Sequence, residues 1–372
     1  MLDYMGIINL NDREDNIKEL TYHRPIASIP IGGRYRMIDF ALSNLVNSGI
    51  QNIGIFTQNK YRSLLDHLGT GKAWDLDRKN DGLFIMTPMP DHNTMGMRKG
   101  DIDNFKNHID YIYLSKQSNV IVTSSGMVCN LNYEHAIKHH NETGADITII
   151  YKRAGNCTAD FQYCHALNID DSGRVTGVSL NLGNESECNI SMDMFILKKS
   201  LFMDIINTCV SRGDCGFFKQ AVHNSLDKLK VYGYRFDGYL SCVNSILSYY
   251  KTSMQLLGLE TSKELFFRNG LIYTKVKDEP PTKYAENANV VNSLIANGCI
   301  IDGHVENSII FRSVKVKKGA AIKDSIIMQN CLIEENVFLR NVILDKSVKI
   351  TQDKQLKGDV NYPIVIEKKA II

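Results

Sequence analysis

The sequence predicts an α/β domain on a mostly parallel sheet, followed by a parallel β-helix of hexapeptide-type repeats. Three observations predict it. Apolar strands and helices alternate up to about residue 259, short aliphatic strands recur in tandem from about residue 287, and Pro280-Pro281 stands between the two patterns. The organisation read from them is an α/β domain over 1–259, a linker over 260–286 and the β-helix over 287–372.

Residues 5–8 read as a short buried strand. In a doubly wound fold that handles a nucleoside triphosphate, a Gly-rich turn should follow, because backbone N–H groups approach phosphate closely only where Cβ is absent. Here the turn is Asn9-Leu10-Asn11-Asp12-Arg13-Glu14-Asp15-Asn16, with no glycine and three carboxylates. Ile38, Ala41, Leu42, Leu45 and Val46 then fall at helical spacing, with Gly49 placed to end the helix. Residues 53–57 read as a strand, and Phe105, Ile109, Ile112 and Tyr113 as one helix face. Residues 120–123 and 147–151 read as strands and 136–143 as a helix. Ligands in such folds bind outside the carboxyl ends of the strands, which directs attention to the turns after Ile8, Thr57 and Thr123. The connector 256–285 carries charges and the two prolines, which disfavour helix there.

Beyond it, Asn292-Ser293-Leu294-Ile295 recurs as Asn307-Ser308-Ile309-Ile310, Asp324-Ser325-Ile326-Ile327 and Asn341-Val342-Ile343-Leu344, at intervals of 15, 17 and 17 residues. Such coils bury their aliphatic side chains only by stacking on one another.

The chain has 372 residues, 44% of them hydrophobic, enough for two substantial cores. Its 43 basic and 41 acidic residues leave a net charge of +2, giving no electrostatic case for nucleic acid or a membrane as partner. No long uncharged apolar run predicts a membrane helix, and no secretory signal is read, so a cytoplasmic protein is expected. The nine cysteines form no C-x-x-C pair and are expected as reduced thiols packed like small hydrophobes, not as disulfides or zinc ligands.

The segment Ile31-Gly32-Gly33-Arg34-Tyr35-Arg36-Met37-Ile38-Asp39-Phe40-Ala41-Leu42-Ser43-Asn44 closely resembles the FGGKYRIIDFALSN signature of the glucose-1-phosphate adenylyltransferase family. Ala73-Trp74-Asp75-Leu76-Asp77-Arg78 resembles its PWDLDR segment, and Lys99-Gly100 with residues 107–112 its KGTADAIYQNIDYI helix entry. Ser191-Met192-Asp193-Met194-Phe195 resembles SMGIY, Asp214-Cys215-Gly216 resembles DFG, and residues 292–297 nearly match NSLIADG. The resemblance covers nearly the whole chain. It implies a GT-A-like nucleotidyltransferase domain, a left-handed β-helix and a tetramer.

The departures fall on the chemistry. The family joins ATP to glucose 1-phosphate with Mg²⁺, and such reactions rest on positioning and charge neutralisation. Its phosphate loop, LAGGRGSRL, registers on residues 9–17, where only Arg13 matches a basic position. The two metal carboxylates register on Gly126 and Cys242, and a thiol is a poor Mg²⁺ ligand. The sugar-phosphate lysine becomes Asn181, and the lysine of RAKPAV becomes Ile26. Arg24 and Arg36 match cationic positions that bind phosphorylated effectors in the family, and arginine suits phosphate recognition. His23, His139, His140 and His304 read as ordinary surface or helix-end histidines.

The resemblance thus points to the regulatory, non-catalytic subunit of bacterial glycogen biosynthesis. It would bind no metal or cofactor tightly itself and would pair in a hetero-oligomer, a tetramer, with a catalytic subunit that holds Mg²⁺ and ATP. A phosphorylated sugar is the expected effector. The alternative is an active sugar-phosphate nucleotidyltransferase with a relocated metal site, for which Asp101, Asp103 and Asp237 are candidates. An acyltransferase on the β-helix would have only His304 in the repeat region, and a homomeric binding module for sugar nucleotides or sugar phosphates is the remaining class.

Overall fold

A computed structural model describes residues 3–58, 60–88, 100–155, 157, 160–213 and 216–372. Lys99, Asp214 and Cys215, which take part in the family match, lie outside the described residues. The chain forms two compact units. The first comprises Met1–Asp12, Phe40–Cys242 and Asn269–Ile272; the second comprises Arg13–Asp39, Val243–Arg268 and Tyr273–Ile372.

The first unit is a nine-stranded sheet. Its site-bearing part is parallel: Tyr4–Asn9 lies between Asn52–Phe56 and Asn119–Thr123, with Gly82–Met86 beyond Asn52–Phe56. Both faces are covered, so the strands read as continuous Val and Ile runs. Met5, Ile7, Val120 and Val122 pack with Phe105, Phe195, Phe202 and Phe218 in one core. The long strand Cys188–Lys198 runs antiparallel to Asn119–Thr123 and to Ile147–Ala154, and its register slips between Ser191 and Met194. The helix expected around Phe105–Tyr113 is two helices, Asp101–Asn107 and Ile109–Leu114, with Tyr113 68% exposed instead of on the buried face. Gly100 starts the first of them at φ 131°, where a Cβ would overlap the Gly216 carbonyl oxygen.

The expectation of reduced thiols throughout is corrected. Cys157 and Cys188 form a disulfide, their Cα atoms 6.2 Å apart. The antiparallel pairing of Cys188 with Ala154 brings them together across 31 residues of sequence, a proximity that spacing alone did not reveal. Cys129, Cys242, Cys299 and Cys331 stand outside any disulfide.

In the second unit three parallel five-stranded sheets form the faces of the β-helix. Asn292, Asn307, Asp324 and Asn341 stack at one corner with φ between 42° and 52°, a left-handed conformation that Asn and Asp tolerate. Beside them runs a buried serine ladder: Ser325 N donates to Ser308 Oγ at 3.1 Å, and Val342 N to Ser325 Oγ at 3.2 Å. The interior is Ile301, Val305, Ile310, Val316, Ile322, Ile327, Ile333, Leu339, Leu344 and Ile350, stacked coil on coil. The connector holds a helix, Leu259–Phe267, that stops before the prolines. A second helix, Ile246–Gln255, opens with a Ser245–Ser248 capping box, and its Tyr249 Oη donates to Pro30 O at 2.7 Å. Among the described residues no helix is long and apolar enough to cross a membrane.

Candidate functional site

The carboxyl ends of the parallel strands hold a polar cleft in the first unit. Gly126 follows Asn119–Thr123 and is buried. The next residue, Met127, pairs with Cys242 in the two-stranded ladder Met127–Val128 and Ser241–Cys242. The two positions where the resemblance put the metal carboxylates are therefore neighbours, as a metal pair requires, and neither is a carboxylate. The Cys164 thiol, burial and the nearby Asp193 and Asp12 charges all raise the Cys242 pKa well above the ordinary thiol range. A thiol that keeps its proton is no ligand for a hard cation, so this donor set does not fit Mg²⁺.

Asn181, where the resemblance put the sugar-phosphate lysine, is 6% exposed and spends its polar atoms on the local loop. Its Nδ2 donates to Cys157 O at 3.0 Å and Phe161 O at 2.9 Å, its Oδ1 accepts from Gly183 N at 2.9 Å, and its backbone N donates to Cys164 O at 2.8 Å. It closes a turn and presents no cation.

Four residues fill the space between these positions: Asp12 of the acidic turn, Asp193 of the segment that resembles SMGIY, and His165 and Lys219, which sequence reasoning passed over. Asp12 Oδ2 accepts from Ser125 Oγ at 2.8 Å. Burial pushes Asp12 up to about 6, against the pull of Ser125 and Lys219. Asp193 sits on the register slip of the long strand at φ 51°, a conformation costing a non-glycine residue roughly 1 kcal/mol. Lys219 Nζ lies 3.3 Å from Asp193 Oδ2, and His165 Nδ1 lies 3.7 Å from Asp193 Oδ1. Burial disfavours the Asp193 charge, yet Lys219 and His165 outweigh it and hold the carboxyl below the usual range. For one of them the signal was in view: Asp193 replaces the glycine of SMGIY, whereas Lys219 flanks the buried face of the short helix Phe218–His223 and stood out in no pattern.

Asp101, one candidate for a relocated metal, has a structural role. Its Oδ1 accepts from Phe218 N at 2.7 Å, fixing the start of the helix that carries Lys219, and its Oδ2 accepts from Asn9 Nδ2 at 2.5 Å. Asp103 lies in the helix Asp101–Asn107 and is exposed, and Asp237 pairs with Arg235 at 2.8 Å on the surface. Among the described residues no three acidic, histidine or cysteine side chains group as a metal site. Arg13 is exposed and belongs to the second unit.

The second unit gathers cations. Arg24 is 4% exposed, its Nη2 2.8 Å from Asp345 Oδ2, while its Nε is buried without a hydrogen-bond partner. Burial, Arg36 and Arg24 drive the Lys346 pKa down to about 7 although Asp345 opposes them. Burial, Arg312 and Arg36 also lower Lys277, and burial and Arg34 lower Arg312. Arg34, Lys277 and Arg312 line an open cavity of about 330 Å³ together with Gly32, Gly33 and Asn297. Arg24 and Arg36 thus belong to one cationic chain, the first as a buried ion-paired residue and the second half-exposed. The chain suits a multiply charged anion.

Comparisons with known proteins agree with this geometry. Residues 16–173 match the family described as Nucleotidyl transferase, and residues 280–361 match the GlmU-like, C-terminal hexapeptide family. The chain is 36% identical over 364 residues, 98% of itself and 95% of the relative, to the "Glycogen biosynthesis protein GlgD" of Bacillus subtilis (strain 168). It is 38% identical over 319 residues, covering 86% and 82%, to the protein of the same name from Geobacillus stearothermophilus. It is 30% identical over 357 residues, covering 94% and 93%, to the "Glucose-1-phosphate adenylyltransferase" of Bacillus mycoides (strain KBAB4). The chain belongs to this family of nucleotidyl transferases, with a sheet-based α/β domain and a left-handed β-helix.

Proposed function

We propose that this chain is a regulatory, catalytically deficient subunit of glucose-1-phosphate adenylyltransferase. It acts in the cytoplasm, in a heterotetramer with a catalytic sister chain. The sister holds Mg²⁺ and ATP and makes ADP-glucose from ATP and glucose 1-phosphate for glycogen biosynthesis. This chain changes the sister's turnover and its response to a phosphorylated sugar. One observation carries the reading: Gly126 and the protonated Cys242 stand together where two metal carboxylates would be needed. The cation chain from Arg24 and Arg36 to Lys346 supports the effector part, since it leaves positive charge for a bound anion to neutralise. The names of the relatives, a glycogen biosynthesis protein and an adenylyltransferase, support the pathway.

The test is a synthesis assay on this chain alone, on a catalytic sister alone and on the two coexpressed. The lone chain should make little or no ADP-glucose, and the mixture should differ from the sister in turnover or effector response. Equal kinetics with and without this chain would refute the regulatory role. Brisk Mg²⁺-dependent activity of the lone chain would favour the alternative, a relocated metal site. That site would have to draw on Asp101, Asp103 or Asp237, of which Asp101 already accepts from Phe218 N and Asn9 Nδ2 and Asp237 already pairs with Arg235.

A further inference from the structure

The cleft of the first unit is crowded with charges that satisfy one another. Asp193 is placed there at a cost, since its backbone is left-handed at φ 51° on a strand that must slip its register to present it. The position is held from three sides. Lys219 and His165 each take one carboxylate oxygen, and Asp193 N donates to Ser191 Oγ at 3.2 Å. A second histidine, His223, stacks edge-on to His165 with ring centroids 5.1 Å apart, and burial together with the His165 charge lowers its pKa to about 4. It adds no positive charge near neutrality.

The place of this clamp within the cleft is fixed by the chain. His165 follows Cys164, whose carbonyl accepts from the backbone N of Asn181, the vacated sugar-phosphate lysine. Cys164 also contacts Cys242, one of the two vacated metal positions. The carboxymethyl group of Asp193 is similar to a phosphoryl group in size and carries charge of the same sign.

We propose that Asp193 is a tethered occupant of the sugar-phosphate end of this cleft: clamped by Lys219 and His165, its carboxylate takes the room and the counter-charge that a sugar phosphate would need, and shuts that ligand out. Lys219 is the lure that remains, a cation already spent on an internal anion. Removing the carboxylate should release Lys219 and admit a phosphate monoester. This rests on reading the cleft as a vacated substrate site and holds whether or not the chain alters a sister's turnover.

Calorimetric titration of the full-length lone chain with glucose 1-phosphate, and with inorganic phosphate as a smaller probe, tests it. The unaltered chain should bind neither measurably at millimolar concentration. Asp193→Gly, which relieves the backbone and opens the space, should bind glucose 1-phosphate at least tenfold more tightly, and adding Lys219→Met should abolish the gain. Asp193→Asn keeps the volume and tolerates the left-handed backbone. It should gain affinity for inorganic phosphate only, and it decides the matter if the glycine variant fails to fold. The proposal is overturned if the unaltered chain binds glucose 1-phosphate as tightly as Asp193→Gly, if both folded variants gain nothing, or if the gain survives Lys219→Met. A failure here leaves the subunit reading standing, because no sister chain enters the experiment.

Discussion

In the cleft of the first unit, Asp12 has Ser125 and Asp193 has Lys219 and His165, so each acid finds a donor or a cation within the same fold. In the second unit, Arg24, Arg34, Arg36, Lys277, Arg312 and Lys346 lie around the carboxylates Asp39, Glu279 and Asp345, and the cations remain in excess. The difference teaches where a ligand is still expected. A charge balanced internally gains little from an external ion. Crowded cations, with Lys346 on the edge of losing its proton and Arg24 Nε buried without a partner, gain much from an anion.

The largest effect that would break this contrast is at Asp345. Asp345→Ala strands the buried Arg24 guanidinium and should cost about 3–5 kcal/mol, the range for breaking a buried pair from one side. Denaturant unfolding of the full chain measures it, and a loss under about 1 kcal/mol would mean that Arg24 finds another counter-charge. Phosphate or sugar phosphate should rescue part of the loss, because the variant carries still more uncompensated positive charge.

Acidity sharpens the contrast next. Folded Lys346 loses its proton near 7, whereas an unfolded lysine keeps it to about 10.4. The unfolded chain therefore binds more protons between those values, and this group makes stability rise with pH across that window. Anion binding follows the opposite direction. It favours the charged lysine, so affinity for a phosphorylated effector should fall as pH rises through about 7, by up to about tenfold per unit. Lys346→Met should weaken binding and flatten the profile, and a profile unchanged by the substitution would remove Lys346 from the site.

The smallest effect belongs to the balanced cleft. Folded Asp12 titrates near 6, above the unfolded value of about 3.9, so its ionisation costs stability above pH 6 and nothing below about pH 4. Asp12→Asn should stabilise the chain at pH 7.5 by about 1 kcal/mol, less than the full shift implies because the group is partly hydrated, and by about half as much at pH 5. Thermal melts at the two pH values decide it. Equal shifts at both would show that shape, not charge, sets the cost of Asp12.

Much of this was written along the chain. The period of 15 to 17 residues, with Asn or Asp heading each repeat, determined a stacked coil because these residues, more readily than other non-glycine ones, turn the left-handed corner. The absence of glycine after the first strand was equally legible, and register against a family signature named 126 and 242 as the positions to inspect without coordinates. Tertiary structure alone decided which distant residues meet. It joined Cys157 to Cys188, broke the helix at His108, buried Arg24 against Asp345, and set Lys219 on Asp193. The physical reason is that local pattern reports one residue's preference for strand, turn or surface. An ion pair or a disulfide depends on two backbones arriving within a few ångströms, and that distance is fixed by sheet register and coil stacking.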